Sequence, residues 1–235
     1  MTRRYYFPEL PPAGGLVTLS DAEAQHATRV MRVQSGDTIE LFDGKGNQAL
    51  ATIVEANKRV CHCEVEPPQF VDREPERIIH LGVALPKPDR ARELIERLTE
   101  LGVKTVTPII AQRTQRAPSD SLLEKLRRGV IEACKQSGRN ELLEIMDIQA
   151  SEKYFSSDHA GTRWIAHPGD MPISNQTFAD HSLVTAAVGP EGGWNDNEVQ
   201  LATEHGFQRV DLGQRIYRIE TAATVIAAFL SSKAV

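Results

Sequence analysis

Cysteine is scarce in this chain of 235 residues, and long hydrophobic runs are absent from its sequence. Three cysteines are too few for the disulfide framework of a small secreted protein, so we expect a reducing, cytoplasmic environment. The longest apolar run, Val225–Leu230, is far too short to cross a bilayer. The charged start, residues 1–8, is not followed by the apolar stretch of a signal peptide. These features predict a soluble cytoplasmic protein.

The segment Cys61-His62-Cys63 has the composition of a metal motif. Residues 59–65 alternate as a strand does, which places the two cysteines on one face and His62 on the other. The sequence has no second Cys or His cluster to complete four zinc ligands. We therefore predict structural strand residues here and no metal site.

Hydrophobic residues make up 40% of the chain, which is enough for a packed core in one large domain or two small ones. Residues 1–72 are typical of a mostly β domain, with strands at 36–42, 49–54 and 59–66, a hairpin turn at 43–47 and a helix at 20–31. After a Pro-marked connection, strands and helices alternate. Strands are predicted at 78–85, 103–110, 143–148, 163–166, 183–188 and 209–212.

Helices are predicted between these strands, and the first of them is expected to be capped by Asp89 and ended by Gly102. The others are expected near 122–134, 152–157, 196–204 and 220–232. This alternation predicts an α/β fold with a mostly parallel sheet. We place the domain boundary between residues 72 and 73, so that residues 1–72 and 73–235 form the two domains.

The net charge of −5 is unevenly distributed along the chain. Residues 1–72 carry −3, residues 87–139 carry +5 and residues 140–235 carry −7. The central basic segment is typical either of a phosphate-binding stripe or of a solvated helix face. The stripe would comprise Arg113, Arg116, Arg127, Arg128, Lys135 and Arg139.

Three polar or Gly-rich turns follow predicted parallel strands. The first, residues 189–194, precedes a helix with Asn195 as its cap and Glu198 as its capping-box partner. The second begins at Asp211-Leu212-Gly213, and the third is His167-Pro168-Gly169-Asp170. Open α/β sheets bind ligands at this edge, and glycine permits close backbone approach. The alternative is that these turns have only a structural role, and the same alternative applies to His167.

Two of these turns resemble the signature loops of the bacterial 16S rRNA (uracil-N3)-methyltransferases, which belong to the knotted SPOUT class. The matching stretches are GPEGGWNDNEV at 189–199 and LGQRIYRIETA at 212–222. Further resemblance lies in PKPDRARELIERLTELGVKTVTPI at 86–109, EACKQSGR at 132–139 and HATRVMRVQSGDTIELFDGKGN at 26–47. The resemblance covers nearly the whole chain.

The resemblance implies an N-terminal PUA-like β-barrel that binds RNA and a C-terminal domain tied in a trefoil knot. It also implies a homodimer and S-adenosylmethionine as cofactor. The residues implied in cofactor binding are His167, Pro168, Gly169, Val188, Gly189, Pro190, Glu191, Gly192, Gly193, Leu212, Gly213, Arg215, Ile216, Tyr217, Arg218 and Thr221.

The implied reaction is methylation of uracil N3 in 16S rRNA, in the small ribosomal subunit. Arg218 is the first candidate to stabilise charge on the base and Arg215 the second. Glu191 and Glu220 are candidate bases, although Glu220 is equally suited to a purely structural place at a helix N-terminus. The residues expected to bind RNA are Arg3, Arg29, Arg32, Lys87, Arg90, Arg113, Arg116, Arg127, Arg128 and Arg139.

Three other functions remain open at this point. A knotted methyltransferase acting on tRNA or on another rRNA base would share the same loops. An RNA-binding ribosome-assembly module without catalysis would keep the basic segment but have no need of the cofactor loops. A small-molecule enzyme that uses the His167 turn would leave the basic segment without a role.

Overall fold

The computed structural model describes residues 3–19, 21–25, 27, 33–57, 60–176 and 182–232. The chain forms two compact units, one of Met1–Glu74 with Cys134–Leu142 and one of Pro75–Ala133 with Leu143–Val235. Residues 134–142, which the sequence analysis placed in the second domain, thus belong to the first unit. The reason is long-range pairing that no local pattern reports. Arg4 Nη1, for example, donates to the Cys134 carbonyl at 2.8 Å.

The first unit is built on a six-stranded, mostly antiparallel sheet. Its strand order is β1-β3-β4-β5-β2, with β6 paired to β4, and only β1 and β3 pair in parallel. The elements are β1 (Arg4–Tyr6), β2 (Gly15–Thr18), α1 (Asp21–Gln25), β3 (Thr38–Phe42), β4 (Asn47–Ala56), β5 (Cys61–Val65) and β6 (Gln69–Phe70). The predicted helix at 20–31 is confirmed over α1, and most of its remaining residues lie outside the described ones.

The alternation of buried and exposed residues explains these strands. Cys61 and Cys63 are fully buried on the core face of β5, whereas His62 lies on the opposite face with Nδ1 2.9 Å from Thr18 Oγ1. The strand interpretation of this motif is therefore confirmed. The predicted hairpin turn is also present, and it is held by the Asp43 carboxylate, which accepts hydrogen bonds from nearby backbone amides.

The second unit is built on a parallel sheet. Its strand order is β10-β8-β7-β12-β11-β13, with β9 paired to β8. The strands are β7 (Ile78–Val83), β8 (Thr105–Ile110), β9 (Glu144–Ile145), β10 (Gln149–Ala150), β11 (Thr162–Pro172), β12 (Leu183–Val188) and β13 (Gln208–Asp211). The helices are α2 (Pro88–Glu100), α3 (Asp120–Ser137), α4 (Ser151–Ser156), α5 (Asp196–Glu204) and α6 (Ile219–Ser231). The last four residues of α3 are those counted with the first unit. The predicted strand–helix alternation is confirmed, and the trefoil knot stays a prediction.

Several boundaries in this unit differ from the predictions. The strand predicted at 143–148 is reduced to β9, for example, and β10 was not predicted. Two further differences have a clear physical reason. Helix α2 is capped by Lys87 and begins with Pro88, so Asp89 lies inside the first turn instead of capping it. Proline suits the first helical position because its fixed φ is already helical and that position needs no N–H partner. Gly102 follows the helix end with φ +77°, as predicted from its conformational freedom.

The second difference is in β11, which runs on to Pro172 although a strand ending near Ala166 was predicted. Ala166 and Met171 both pair with Val210 of β13. Residues 167–170 therefore leave the strand as a bulge and the strand then resumes. The Pro-Gly sequence inside the bulge is typical of a strand end, whereas the pairing with β13 is a long-range contact.

An aromatic cluster joins α4 to the chain after β12 and to the residue before β13. The Phe155 ring packs edge-on against the rings of Trp194 and Phe207, with 5.2 Å between centroids in each pair. All three side chains are buried, so the chain after β12 rests on a rigid support. No helix among the described residues is long and apolar enough to cross a membrane.

Candidate active site

Three loops meet at one edge of the parallel sheet. Strands β12, β11 and β13 are neighbours and run in parallel, so their carboxyl ends point the same way. The β11 bulge (167–170), the Gly-rich loop after β12 (189–195) and the loop after β13 (212–218) surround an open cleft of about 850 Å³, part of which is open solvent. Its lining residues are Ala166, His167, Pro168, Val188, Gly189, Pro190, Glu191, Gly193, Trp194, Asp211, Leu212, Gly213, Arg215, Ile216, Tyr217, Ile219 and Ala222.

The Gly-rich loop lies directly against the aromatic cluster. A methyl group placed on Gly189 would lie 3.0 Å from Cε2 and 3.1 Å from Nε1 of Trp194, so only glycine fits there without displacement. The Trp194 side chain is buried, and its Nε1–H has no hydrogen-bond partner among the residues that the structure describes. A buried donor without a described partner thus lies beside a position that requires glycine.

A buried carboxylate fixes the end of the Gly-rich loop. Asn195 and Glu198 form the predicted capping box of α5, and Glu198 is buried. Its Oε1 also accepts hydrogen bonds from the Gln112 amide at 2.9 Å and from the Ser151 hydroxyl at 2.7 Å. One side chain therefore joins α5 to the loop after β8 and to α4.

Arg113 holds the other side of the same loop. Its Nη1 donates to the carbonyls of Gly192 at 2.8 Å and Trp194 at 3.3 Å. The guanidinium thereby shapes the Gly-rich loop, and the predicted contact of Arg113 with RNA phosphates stays a prediction. The pairing joins residues far apart in the chain, so no local sequence signal indicates it.

The loop after β13 presents two arginines to solvent. Arg215 lines the cleft, and Arg218 caps α6 with its backbone only. Both side chains are exposed, and neither has a partner within the described part of the chain. Ile216 between them is 95% exposed. Asp211 directly precedes the loop, and its carboxylate accepts hydrogen bonds from the amides of Gly213 and Gly169. These bonds hold the pKa of that carboxyl below its usual value.

The two candidate bases lie in different environments, and Arg90 contacts both. Glu191 is half-exposed and lines the cleft, with Oε1 3.8 Å from Arg90 Nη2. Glu220 is buried in the first turn of α6, and its Oε1 is 3.3 Å from Arg90 Nη1. Its Oε2 has no partner among the described residues. Arg90, expected to bind RNA, thus neutralises two carboxylates at the base of the loops.

The structure brings most of the predicted cofactor residues together around the cleft. Four of the predicted residues are absent from its lining, namely Gly169, Gly192, Arg218 and Thr221. Five lining residues were not predicted, namely Ala166, Trp194, Asp211, Ile219 and Ala222. Trp194 and Asp211 lie inside or next to the quoted loop sequences, so adjacency to the glycines is the signal that pointed to them.

The predicted RNA-binding residues are in varied environments. Lys87, Arg116 and Arg128 are exposed and, within the described residues, have no partner. Arg139 is 4% exposed and binds Glu74 through Nε and Nη2. Arg29 and Arg32 lie outside the described residues. The others with partners are Arg3, paired with Asp37 at 3.0 Å, and Arg127, which donates to the Ile145 carbonyl at 3.2 Å.

Lys135, part of the expected basic stripe, is also buried, and its Nζ is 2.9 Å from Glu23 Oε1. Together with Arg139 it belongs to the first unit. Much of the excess positive charge of residues 87–139 is therefore already neutralised or hydrogen-bonded within the protein.

Comparison with known proteins places these loops in a family. The model of an RNA methyltransferase domain matches residues 73–231, and the model of an RNA methyltransferase PUA domain matches residues 19–66. The chain belongs to this RNA methyltransferase family. The fold class predicted from the sequence, a PUA-like N-terminal domain followed by a parallel-sheet methyltransferase domain, is thereby confirmed.

Relatives of known structure and name support the same assignment. The ribosomal RNA small subunit methyltransferase E of Synechocystis is 33% identical over 225 residues, which are 92% of this chain and 73% of that protein. The enzyme of the same name from Neisseria gonorrhoeae, crystallised with S-adenosylmethionine, is 32% identical with a TM-score of 0.90, over 97% of this chain and 96% of the other. A Legionella pneumophila protein with bound S-adenosylmethionine is 29% identical with a TM-score of 0.91, over 98% and 97%.

Proposed function

We propose that this RNA methyltransferase transfers a methyl group from S-adenosylmethionine to N3 of a uridine in the 16S rRNA of the small ribosomal subunit. The observation that carries the proposal is the cleft formed by three loops. Arg215 lines this cleft, Arg218 is exposed at the end of the same loop, and neither has a partner among the described residues. The names of the relatives support the rRNA substrate, and the signature loops at 189–199 and 212–222 support the target atom.

The cleft suits S-adenosylmethionine in its chemistry. Apolar side chains such as Val188 and Ile219 offer a surface for the adenine ring. Trp194 also lines the cleft, and the carboxylate of Glu191 favours a cationic ligand. We assign the predicted residues that line the cleft to cofactor binding, and Gly169 and Gly192 to the backbone that supports them.

When bound, the cofactor supplies an electrophilic methyl group on a sulfonium centre. The residues of this chain must then align uracil N3 and accept its proton. N3 lies on the Watson–Crick edge, so the target base has to be unpaired or extruded when it enters the cleft. We assign Arg218, and second Arg215, to stabilise the negative charge that develops on the uracil oxygens. Their exposure and lack of described partners leave the guanidinium donors available for that task.

The environments of the two carboxylates favour Glu191 as the base. Glu191 lines the cleft and is held by Arg90 only at 3.8 Å, so its carboxylate is able to accept a proton from a base in the cleft. Glu220 is buried, pairs with Arg90 at 3.3 Å and lies where the dipole of α6 favours a negative charge. We therefore assign Glu220 to positioning Arg90 and the start of α6.

For RNA binding we retain the predicted basic residues whose side chains are not engaged by a described carboxylate or carbonyl. Lys87, Arg116 and Arg128 are exposed in the described structure, and Arg29 and Arg32 remain proposed phosphate contacts from the sequence. Arg139 is assigned to the fold of the first unit because its guanidinium is buried against Glu74. Arg3, Arg90, Arg113 and Arg127 each have a carboxylate or carbonyl partner, so we expect them to contribute less.

We further propose a cytoplasmic homodimer that acts on the assembled small subunit. The family resemblance supports the dimer, as does Ile216, an almost fully exposed apolar side chain beside the cleft. Sedimentation equilibrium at micromolar concentration tests the dimer. A single species with the mass of one chain would refute it.

The proposed reaction is tested with small subunits, naked 16S rRNA and tRNA, each from a strain that lacks the gene for this protein. Each is incubated with the protein and labelled S-adenosylmethionine, and the nucleosides are analysed by mass spectrometry. We expect 3-methyluridine in the small-subunit sample and none with Arg218→Ala. Methylation of tRNA alone, or of another base atom, would refute the proposed target. A failure of the protein to bind the cofactor would refute the enzyme assignment itself.

A further inference from the structure

Two of the three cleft loops depend on a single side chain. Among the described pairs, the ladder from β11 to β13 passes from Ala166 to Met171, so residues 167–170 lie outside it as a bulge. A bulge interrupts the backbone hydrogen bonds that would otherwise fix its conformation. Contacts outside this ladder therefore contribute to the conformation of the bulge.

The carboxylate of Asp211 makes the missing connection. Its Oδ2 accepts a hydrogen bond from the Gly169 amide at 3.1 Å, and its Oδ1 accepts one from the Gly213 amide at 2.9 Å. Each oxygen thus serves a different loop. Both glycines have positive φ, +87° and +126°, which are conformations that L side chains rarely adopt.

Asp211 is well placed to act as a fixed point. It is the last residue of β13, and its backbone pairs with Pro172 of β11, directly after the bulge. Hydrogen bonds to a charged acceptor are about twice as strong as neutral ones. The lowered pKa of Asp211, caused first by the bonds from Gly213 and Gly169 and also by the nearby His167, agrees with a carboxylate that stays ionised in this position.

We propose that Asp211 is a positioning residue that fixes the β11 bulge and the loop after β13 to one another, and thereby sets the affinity of the cleft for S-adenosylmethionine. The ligand in this inference rests on the proposed function, but the coupling of the two loops does not. No catalytic role is assigned to Asp211.

The first experiment uses the protein without cofactor. Hydrogen–deuterium exchange is followed in the peptides that contain Gly169 and Gly213, for the wild type, Asp211→Asn and Asp211→Ala. Asparagine keeps the size of the side chain but has one acceptor oxygen in place of two. We expect one of the two amides to exchange about tenfold faster in Asp211→Asn, and both in Asp211→Ala, since a hydrogen bond to a charged group is lost in each case. Unchanged exchange at both amides in both variants would overturn the inference.

The second experiment measures the affinity for S-adenosylmethionine by calorimetry and the steady-state kinetics on small subunits. We expect Kd and KM for the cofactor to rise about tenfold in Asp211→Asn, with kcat at saturating cofactor within about twofold of the wild type. A residue with a merely stabilising role would not separate KM from kcat. Equal losses in kcat and in affinity would overturn the positioning role.

Asp43→Asn is the matched control. The Asp43 carboxylate also accepts hydrogen bonds from two backbone amides, those of Lys45 and Asn47. It lies in the first unit, whereas the cleft lies in the second. We expect its cofactor affinity to equal that of the wild type, and a tenfold loss there would overturn the specific role of Asp211. A wild-type protein that binds no S-adenosylmethionine would refute the proposed function, while the exchange experiment would still decide on Asp211.

Discussion

A single methyl group at Gly189 tests the shape of the Gly-rich loop. In Gly189→Ala the new Cβ would lie 3.0–3.1 Å from three atoms of the Trp194 indole, whereas carbon atoms in contact are best about 3.5–4.0 Å apart. The indole is 6% exposed and packs on Phe155, so it has little room to move away. The backbone of Gly189 is in an ordinary φ region, so the methyl contact is the whole perturbation.

The expected cost follows from overpacking. Inserting a methyl into a well-packed site costs about 1–3 kcal/mol. If the loop shifts outward to relieve this strain and must return for the cofactor to bind, Kd for S-adenosylmethionine rises by roughly 5- to 150-fold. Any strain that the loop does not relieve lowers the melting temperature, by roughly 2–4 °C for each kcal/mol in a chain of this size.

Gly129→Ala in α3 is the control. Outside its own helix and chain neighbours, the nearest atom to the new Cβ would be Cγ of Arg92 at 4.0 Å, which is an ordinary van der Waals contact. Calorimetry with S-adenosylmethionine and thermal unfolding without it should therefore separate the two variants, with Gly129→Ala within about threefold of the wild-type Kd. Equal Kd values for the two variants would refute the assigned packing of Gly189 on Trp194.

Three further predictions concern charged groups. Arg113→Ala removes the donor to two loop carbonyls and should raise the Kd for the cofactor about five- to tenfold in calorimetry. Arg116 is exposed, so Arg116→Ala should weaken only RNA binding, measured in a filter assay. Weaker cofactor binding by Arg116→Ala, with normal cofactor binding by Arg113→Ala, would contradict both roles. Glu191→Gln should lower kcat by about 10²-fold or more, whereas Glu220→Gln should mainly lower the melting temperature, and a normal kcat for Glu191→Gln would exclude it as the base. Burial lowers the pKa of His80, so the folded state favours the neutral imidazole. The free energy of unfolding should therefore fall as the pH drops below the unfolded-state pKa of about 6.5. Between pH 7 and 5, the melting temperature of the wild type should fall more than that of His80→Gln, and an equal or smaller fall would contradict this prediction.

Features set by neighbouring residues were accessible from the sequence alone. The apolar run of β12 and the Asn195–Glu198 capping box require only a few consecutive side chains, and both occur where they were predicted. The same holds for the Cys61-His62-Cys63 alternation, because the two faces of a strand follow from its period of two. The cleft could be placed as well, since parallel strands bring their carboxyl ends to one edge.

Features set by distant partners were not accessible. The His167-Pro168-Gly169 turn has the composition of a strand end, yet pairing with β13 carries β11 beyond it. The roles of Arg113 and Arg139 depend on carbonyls and a carboxylate that are far away along the chain. Reasoning from the sequence treats such arginine side chains as unpaired, because their hydrogen-bond partners are brought close only by the folded structure.

The charge that remains free leads to a measurable salt dependence. Each phosphate contact contributes about −0.7 to the slope of log K against log salt concentration on single strands and about −0.9 on duplexes. If all ten predicted cations bound phosphates, the slope would be about −7 to −9. Five of the ten are retained as phosphate contacts. Lys87, Arg116 and Arg128 have no partner among the described residues, and Arg29 and Arg32 are predicted from the sequence alone.

These five predict a slope of about −3.5 to −4.5 for the binding of small subunits. Titrations of fluorescently labelled subunits at several salt concentrations measure it. A second titration with Arg116→Ala should reduce the slope by about 0.7–0.9, whereas Arg139→Gln should leave it unchanged, because that guanidinium is buried against Glu74. A wild-type slope near −8 would mean that the paired arginines exchange their protein partners for phosphates on binding, and would refute the division between structural and RNA-binding cations made from their contacts.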